Sequence, residues 1–221
     1  MTEQTLRKDA ARNRERLIAA GRELFAQRGL GATLNDVAHH AGVGVGTAYR
    51  RFANKEELIE AIWQQQVDEL EAILRAALAA PDPWEGLVLY LERSLAAQAT
   101  DRGMAQMLAG RTWPEHYDRQ RDRLAPLVNQ LAHRAREAGV LRADVTGTDL
   151  IFLQIALSTI SGTVQDGTVP DGREDTDQLY RRYLGIVLDG LHASTCEPSE
   201  LPVAALVTHE AHTLLQPRAH G

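Results

Sequence analysis

Between residues 33 and 58 the chain gathers hydroxyl and guanidinium groups on a short helical pattern with few apolar positions. Thr47, Tyr49, Arg50 and Arg51 all fall there, with Lys55 just beyond. These side-chain types hydrogen-bond to phosphate oxygens and base edges, and an arginine fork matches guanine in particular. The segment offers no nucleophile–base pair and no set of metal ligands, so its chemistry is recognition. Such groups need a rigid element that presents them outward, and the flanking sequence supplies one. Two short helical patterns meet at a glycine turn, the arrangement of a helix-turn-helix whose second helix enters the major groove.

Thr33 and Asp36 are spaced as a capping box, which predicts a helix starting at about Leu34. Leu34, Val37, Ala38 and Ala41 then recur at helical spacing as a buried face. Gly42 stands where the chain must turn through positive φ, and Val43 follows as a plug between the helices. The second helix is expected from about Val45 to Arg51, with Ala48 and Phe52 facing inward. Asn54 and Glu57 read as a second capping box opening a much longer helix. Lys55 lies in that helix's first turn, where free backbone N–H groups also attract phosphate.

With Ala20-Gly-Arg-Glu-Leu-Phe25, Arg28-Gly29, Thr33, Asp36-Val-Ala38, Ala41-Gly-Val43, Gly46-Thr47, Tyr49-Arg-Arg-Phe52 and Asn54-Lys-Glu56 in order, residues about 9–60 resemble the DNA-binding domain of the TetR family of transcriptional regulators. The resemblance in motifs covers the first quarter of the chain; beyond it the likeness is one of architecture. It implies that Thr33, Tyr49 and Lys55 hold phosphates, and that Asn35, Val45, Gly46, Thr47, Arg50 and Arg51 lie nearest the bases. The implied partners are a pseudo-palindromic double-stranded operator, a second copy of the chain and a small-molecule effector, and the implied role is repression. Two positions depart from the family pattern. Gly44 replaces a polar residue and gives a softer N-cap. Val45 replaces a frequent polar reader, and an apolar side chain there can touch only a thymine methyl.

Charge divides in the same way. Residues 1–55 hold ten Lys or Arg against five Asp or Glu, a balance of +5. The other 166 residues hold fourteen against twenty-five, a balance of −11, giving the net −6. A basic head on an acidic body suits phosphate neutralisation at one end. Arg7, Lys8, Arg12, Arg14 and Arg16 fit two readings equally: a solvated helix face after a frayed terminus, or an arm on phosphates or the minor groove. The lone Cys196 excludes an internal disulfide framework and a cysteine-based zinc site. No secretory pattern opens the sequence, and no apolar run approaches the ~18–20 residues of a membrane span. A cytoplasmic protein without membrane association is expected.

The remainder reads as helix, giving an all-α fold: a three-helix helix-turn-helix domain over residues 1–54, a helical effector-binding and dimerisation domain over 55–195, and a tail over 196–221. Helices are expected from Lys55 to about Ala79, with Leu58, Ile62, Leu70, Ile73 and Leu74 on one side, and from Pro83 to about Ala99. Others are expected near Gly103–Arg111, from Pro114 to about Ala138 with a bend at Pro126, from Thr146 to about Val164, and from about Asp175 to Ala193. Gln165 to Glu174 reads as a loop, and the tail has room for one short helix.

Residues 150–160 are apolar around nearly the whole helix, which predicts burial on all sides. In the last helix Leu179, Tyr183, Ile186 and Val187 form one apolar face, and Tyr180, Leu184, Leu188 and Leu191 another. A domain this small covers one face of each from within. The surplus suits a homodimer closed by a four-helix bundle, as in the family it resembles. Trp63, Tyr90, Met104, Met107, Trp113, Tyr117 and Phe152, with the polar Gln154 and Ser158, are candidate walls of an effector cavity, although each also suits ordinary core.

No cofactor, metal site or enzymatic activity is expected. His209 and His212 stand at i and i+3 rather than the i, i+4 of a zincin helix, and Gly42-Val-Gly-Val-Gly46 follows a helix rather than a strand. Two other classes compete with the ligand-responsive repressor. One is an architectural or ligand-independent DNA binder, or a transcriptional activator. The other is an enzyme or small-molecule carrier with a vestigial head, against which the intact Thr47, Tyr49, Arg50, Arg51 and Lys55 set argues.

Overall fold

Side-chain caps decide where several helices of this chain begin. The computed structural model describes residues 3–99, 114–166, 178–193 and 206–210. These form α1 (Glu3–Arg28), a 3₁₀ turn (Gly29–Gly31), α2 (Leu34–His40), α3 (Val45–Arg51), α4 (Lys55–Ala79), α5 (Pro83–Ala99), α6 (Pro114–Glu137), α7 (Gly147–Asp166) and α8 (Leu179–Leu191). The fold is all-α: among the described residues the sole β feature is an isolated antiparallel bridge between Leu141 and His192. No described helix is long and apolar enough to cross a membrane.

Thr33 and Asp36 make the expected reciprocal box at α2. Asp82 caps α5 by accepting from the N–H groups of Trp84 (2.7 Å) and Glu85 (3.1 Å), with Pro83 at the first helical position. At α7 the Asp149 carboxylate accepts from the Thr146 N–H and hydroxyl, both at 2.7 Å. The cap of α4 differs from expectation. Asn54 Oδ1 accepts from the Glu57 N–H at 2.8 Å, but Glu57 reaches past Asn54 and accepts from the Ala53 N–H at 2.7 Å.

Other boundaries shift as well. α7 continues through Gln165 and Asp166 rather than giving way to a loop there, and α6 ends at Glu137 with Ala138 in a turn. α8 is described from Leu179, with Gln178 in a 3₁₀ turn before it, and the expected start near Asp175 falls outside the described residues. α6 runs through Pro126 as one helix. Helix α1 reaches back to Glu3, so the terminus expected to fray is helical from that residue. The Gly103–Arg111 helix, the loop from Gly167 to Glu174 and most of the tail lie outside the described residues. Thr208–Glu210 is helical, with Glu210 Oε2 accepting from the Val207 N–H at 3.0 Å.

The chain forms two compact units that divide between Gln66 and Val67, within α4. The first owes its core to Leu17, Leu24, Phe25, Val37, Ala48 and Phe52, and α4 completes it with Leu58, Ile59, Ala61 and Ile62. That need for lining explains why this unit extends past residue 54. Gly21 lets the helices approach closely, since a Cβ there would stand 2.9 Å from Ile62 Cδ1. In the second unit α5, α6 and α7 pack together, α8 packs on α5 and α7, and the interior is largely leucine: Leu74, Leu87, Leu91, Leu95, Leu131 and Leu150.

Candidate nucleic-acid interface

The α2–α3 pair is built to keep one surface polar and fixed. Leu34, Val37 and Ala38 are buried on α2, whereas Ala48 alone is buried on α3. Ala41 is half-buried against the same cluster. Gly42 adopts φ +61, a conformation that favours glycine, and its N–H donates to the His39 carbonyl at 3.1 Å. Val43 is buried between the helices, and Phe52 closes α3 with its ring in the core.

What remains outward is the set expected to meet DNA. Asn35, Gly46, Tyr49, Arg50 and Arg51 are exposed, and Tyr49 keeps 49% of its surface open. Such exposure of a tyrosine on a short helix leaves its hydroxyl free to reach a phosphate. Thr47 is half-buried, and its hydroxyl accepts from Arg50 Nη2 at 3.0 Å, which lays the guanidinium along the outer face of α3. Val45 differs from the others: it is half-buried against the core cluster, so little of it is available to a thymine methyl.

At the start of α2, both donors of Thr33 are committed to Asp36: the N–H at 2.7 Å and the hydroxyl at 2.6 Å. A phosphate contact from Thr33 therefore requires its hydroxyl to rotate away from Asp36. The same bonds, first the hydroxyl's and then the N–H's, hold the Asp36 carboxyl below the usual aspartate range.

Three cations tie the motif together. Arg16 Nη2 donates to the Ala41 carbonyl at 2.6 Å, binding α1 to the end of α2. The Arg14 guanidinium lies 5.7 Å from the centroid of the Phe52 ring. Lys55 Nζ lies 5.6 Å from the Phe25 centroid, on a face able to hold an ammonium without neutralising it. Neither sequence reading of the α1 cations anticipates that Arg14 and Arg16 brace the motif. Nor is the 2.9 Å pair of His40 Nε2 with Glu23 Oε2 legible there, because its partners are 17 residues apart. Lys8 and Arg12 are exposed on α1.

The candidate cavity residues divide between the units. Trp63 is half-buried on the part of α4 that belongs to the first unit. Tyr90 and Gln154 are buried in the second, where Phe152 and Ser158 are half-buried. Tyr117 lies on α6, and Met104, Met107 and Trp113 fall outside the described residues. The structure brings one pair of this set together: the Tyr90 hydroxyl donates to Gln154 Oε1 at 2.6 Å, across α5 and α7. Burial pushes the Tyr90 phenol well above its ordinary range, so it remains a neutral donor. Tyr90→Phe should destabilise the second unit by about 1–3 kcal/mol, because the Gln154 oxygen loses its buried partner. Chemical denaturation checks this, and an unchanged midpoint would show the bond to be dispensable. A surface groove of about 300 Å³ runs along α5 beside Trp84, Val88 and Leu89, and shares no residue with the candidate set.

Against known proteins, residues 17–62 match the family model described as bacterial regulatory proteins, tetR family. Residues 82–193 match the C-terminal domain of SbtR-like transcriptional regulators. A TetR transcriptional regulator of Streptomyces coelicolor is similar over 82% of this chain and 99% of its own, at 30% identity and a TM-score of 0.62. A TetR regulator of Mycobacterium vanbaalenii covers 85% and 99%, at 28% identity and the same TM-score. The ketosteroid regulator KstR2 of Mycobacterium tuberculosis covers 82% and 95%, at 27% identity and a TM-score of 0.54. Among curated relatives, a helix-turn-helix transcriptional regulator of Staphylococcus aureus is 36% identical over 64 residues, 28% of this chain. The match spans about a third of that relative's length, 35%.

Proposed function

The chain belongs to the TetR family of transcriptional regulators, and from that premise we propose that it is a cytoplasmic, dimeric repressor released from its operator by a small molecule. The observation that carries this reading is the outward set on α3 and its flanks. Tyr49, Arg50 and Arg51 are exposed on a helix anchored by little more than Ala48 and its Phe52 cap. In a dimer, two such helices would enter successive major grooves about 34–36 Å apart. Arg50, Arg51 and Thr47 would read bases while Tyr49 and Lys55 hold phosphates.

The single chain leaves an apolar surface that a second copy would cover. Tyr180, Leu184 and Leu191 are buried on α8, while on its other face Tyr183 is 41% and Ile186 58% exposed. α7 is likewise not buried all round, since Ile155 is 39% exposed. The two faces expected of α8 thus differ in the way an intermolecular four-helix bundle requires.

For the effector, an uncharged, largely apolar molecule fits best. The fully buried polar residues described in the second unit are Ser94, Thr148, Gln154 and the neutral phenol of Tyr90, and none of these four carries a charge, although the Nε of the half-buried Arg136 is also enclosed. The relative whose name refers to ketosteroids accords with that class. α4, which begins in the first unit and ends in the second, is the natural carrier of the response. By linkage, operator DNA must weaken effector binding by the factor with which effector weakens operator binding.

Sequencing the genomic fragments retained by the purified protein tests the reading and supplies the operator. On that operator, Arg51→Ala should cost about 1–3 kcal/mol per half-site and relax base preference. Lys55→Ala should weaken all sequences alike and flatten the salt dependence. Unchanged affinity in both variants would show that α3 does not face the DNA.

A further inference from the structure

We propose that Arg123 is an ionic latch that fixes α4 just after it leaves the first unit, and that this latch is part of the coupling between the regulatory unit and operator binding. The inference rests on the regulator reading given above and concerns a residue of α6 that belongs to neither the candidate DNA-contact set nor the candidate effector set.

Arg123 reaches α4 at two carboxylates. Its Nη2 donates to Asp68 Oδ1 at 2.7 Å and to Glu71 Oε2, and its Nε donates to Glu71 Oε2 at 3.0 Å. The other Glu71 oxygen, Oε1, accepts from Arg75 Nε at 2.9 Å and Nη2 at 2.7 Å. Glu71 is thus held between two guanidinium groups, Arg123 the stronger, and its carboxyl is drawn below the usual range. Asp68 and Glu71 follow closely on Val67, where the second unit begins, and Asp68, Glu71 and Arg123 all lie within that unit.

A second arginine of α6 grips α4 where it ends. Arg134 donates to the carbonyl oxygens of Leu78 (2.9 Å), Ala80 (2.5 Å) and Pro81 (3.0 Å). The two grips differ in kind. Backbone carbonyls at a helix end are permanent acceptors that need a donor. The Arg123 site is an ion network in contact with solvent, with 37% of the arginine and 57% of Asp68 exposed. Such contacts add little net stability and are screened by salt, yet a forked arginine fixes geometry closely. Between the two grips lies Pro126, which has no N–H to donate to the helical ladder. A small change in α6 can release the Arg123 end while Arg134 keeps its hold. The distribution suits a contact that governs the freedom of α4 at small cost to the fold.

Hydrogen exchange and operator titration of Arg123→Met, which keeps the aliphatic stem and removes the charge, test the proposal on the full chain. Amides of residues 68–75 should exchange about tenfold faster while those near residue 78 stay protected. The melting temperature should move by no more than about 2 °C, as expected for an exposed ion network. Affinity for the selected operator fragment should fall by about three- to twentyfold, because α4 must be ordered on binding. Exchanging the charges in an Arg123→Glu, Glu71→Arg double variant should restore both readouts only in part, because the new carboxylate faces Asp68 and the new guanidinium faces Arg75. A structural role alone would move the melting temperature by more than about 2 °C and leave the operator affinity of the folded protein unchanged. Unchanged exchange over residues 68–75 would overturn the latch. Faster exchange with operator affinity unchanged or increased would overturn its coupling to DNA. If the wild type retains no DNA fragment, the regulator reading fails, and the exchange comparison still decides the latch. Should Arg123→Met not fold, Arg123→Lys, which keeps a cation and loses the fork, is expected to show the same changes at smaller size.

Discussion

Replacing Tyr183 and Ile186 together by arginine should leave the chain folded, render it monomeric and lower operator affinity by about 10²–10⁴-fold, the usual gain from linking two binding events. Both side chains are largely open in the single chain, so arginine there keeps its hydration and costs the fold little. In the proposed bundle the same guanidinium groups would be desolvated without partners, which is expensive. The buried face of α8, through Tyr180, Leu184 and Leu191, would still hold the helix to its own unit. Sedimentation at micromolar concentration and fluorescence anisotropy on the operator read the two effects separately. A wild type that sediments as a monomer, or a double variant that remains dimeric, would sink the bundle. Leu184→Arg is the control: it should damage the fold itself, because Leu184 is 2% exposed.

The local code explains why so much of this fold is legible in sequence. Caps and turns are written within a few residues of where they act, as with Thr33 and Asp36, Gly42, Asp82 and Pro83, and Thr146 and Asp149. The α4 and α5 bounds follow from those signals and from apolar spacing. Where a side chain has a choice between adjacent donors, sequence is silent: nothing in Asn54-Lys-Glu-Glu57 says that the glutamate passes over Asn54 to the Ala53 N–H. At the end of α7 the helix runs past the expected Val164 to Asp166.

Pairings between residues far apart in sequence escape altogether. Arg16 on the Ala41 carbonyl, His40 with Glu23, and Arg123 with Asp68 and Glu71 depend on packing that no spacing rule encodes. The single chain meets the composition only in part at α7. Its nearly continuous apolar run implies burial on every side, but in the single chain Ile155 is exposed. The outward residues of α3 are easier to identify than those of the candidate cavity because a helix with few apolar residues has only one side to bury. An apolar residue on a buried helix, by contrast, serves a core or a ligand equally well. Tyr90 and Gln154 each carry a polar group that needs a partner when buried, and they are the pair the structure brings together.

Phe25→Ala should unfold the first unit selectively and abolish operator binding at 37 °C, at a cost of about 3–5 kcal/mol for the lost ring and the cavity left behind. Phe25 is 1% exposed at the heart of a cluster drawn from α1–α4. A unit of this size buries a small core, and such domains are marginally stable, so a loss of that magnitude consumes most of the margin. Calorimetry should show a new low-temperature transition, while the second unit keeps its helicity and its self-association. The substitution also removes the ring beneath the Lys55 ammonium, 5.6 Å away, so lost DNA binding alone would have two explanations. Two companions separate them. Phe25→Leu keeps an apolar side chain in the core but removes the aromatic face. It should retain most of the stability and bind operator with an affinity between those of the wild type and Lys55→Ala. Lys55→Ala should leave the melting curve in place and reduce the slope of log affinity against log salt by about one for each phosphate no longer neutralised. Loss of helicity in one step across the whole chain would show that the two units do not unfold independently. If Phe25→Ala still bound operator at 37 °C, the α2–α3 pair would need less support from α1 than its packing implies.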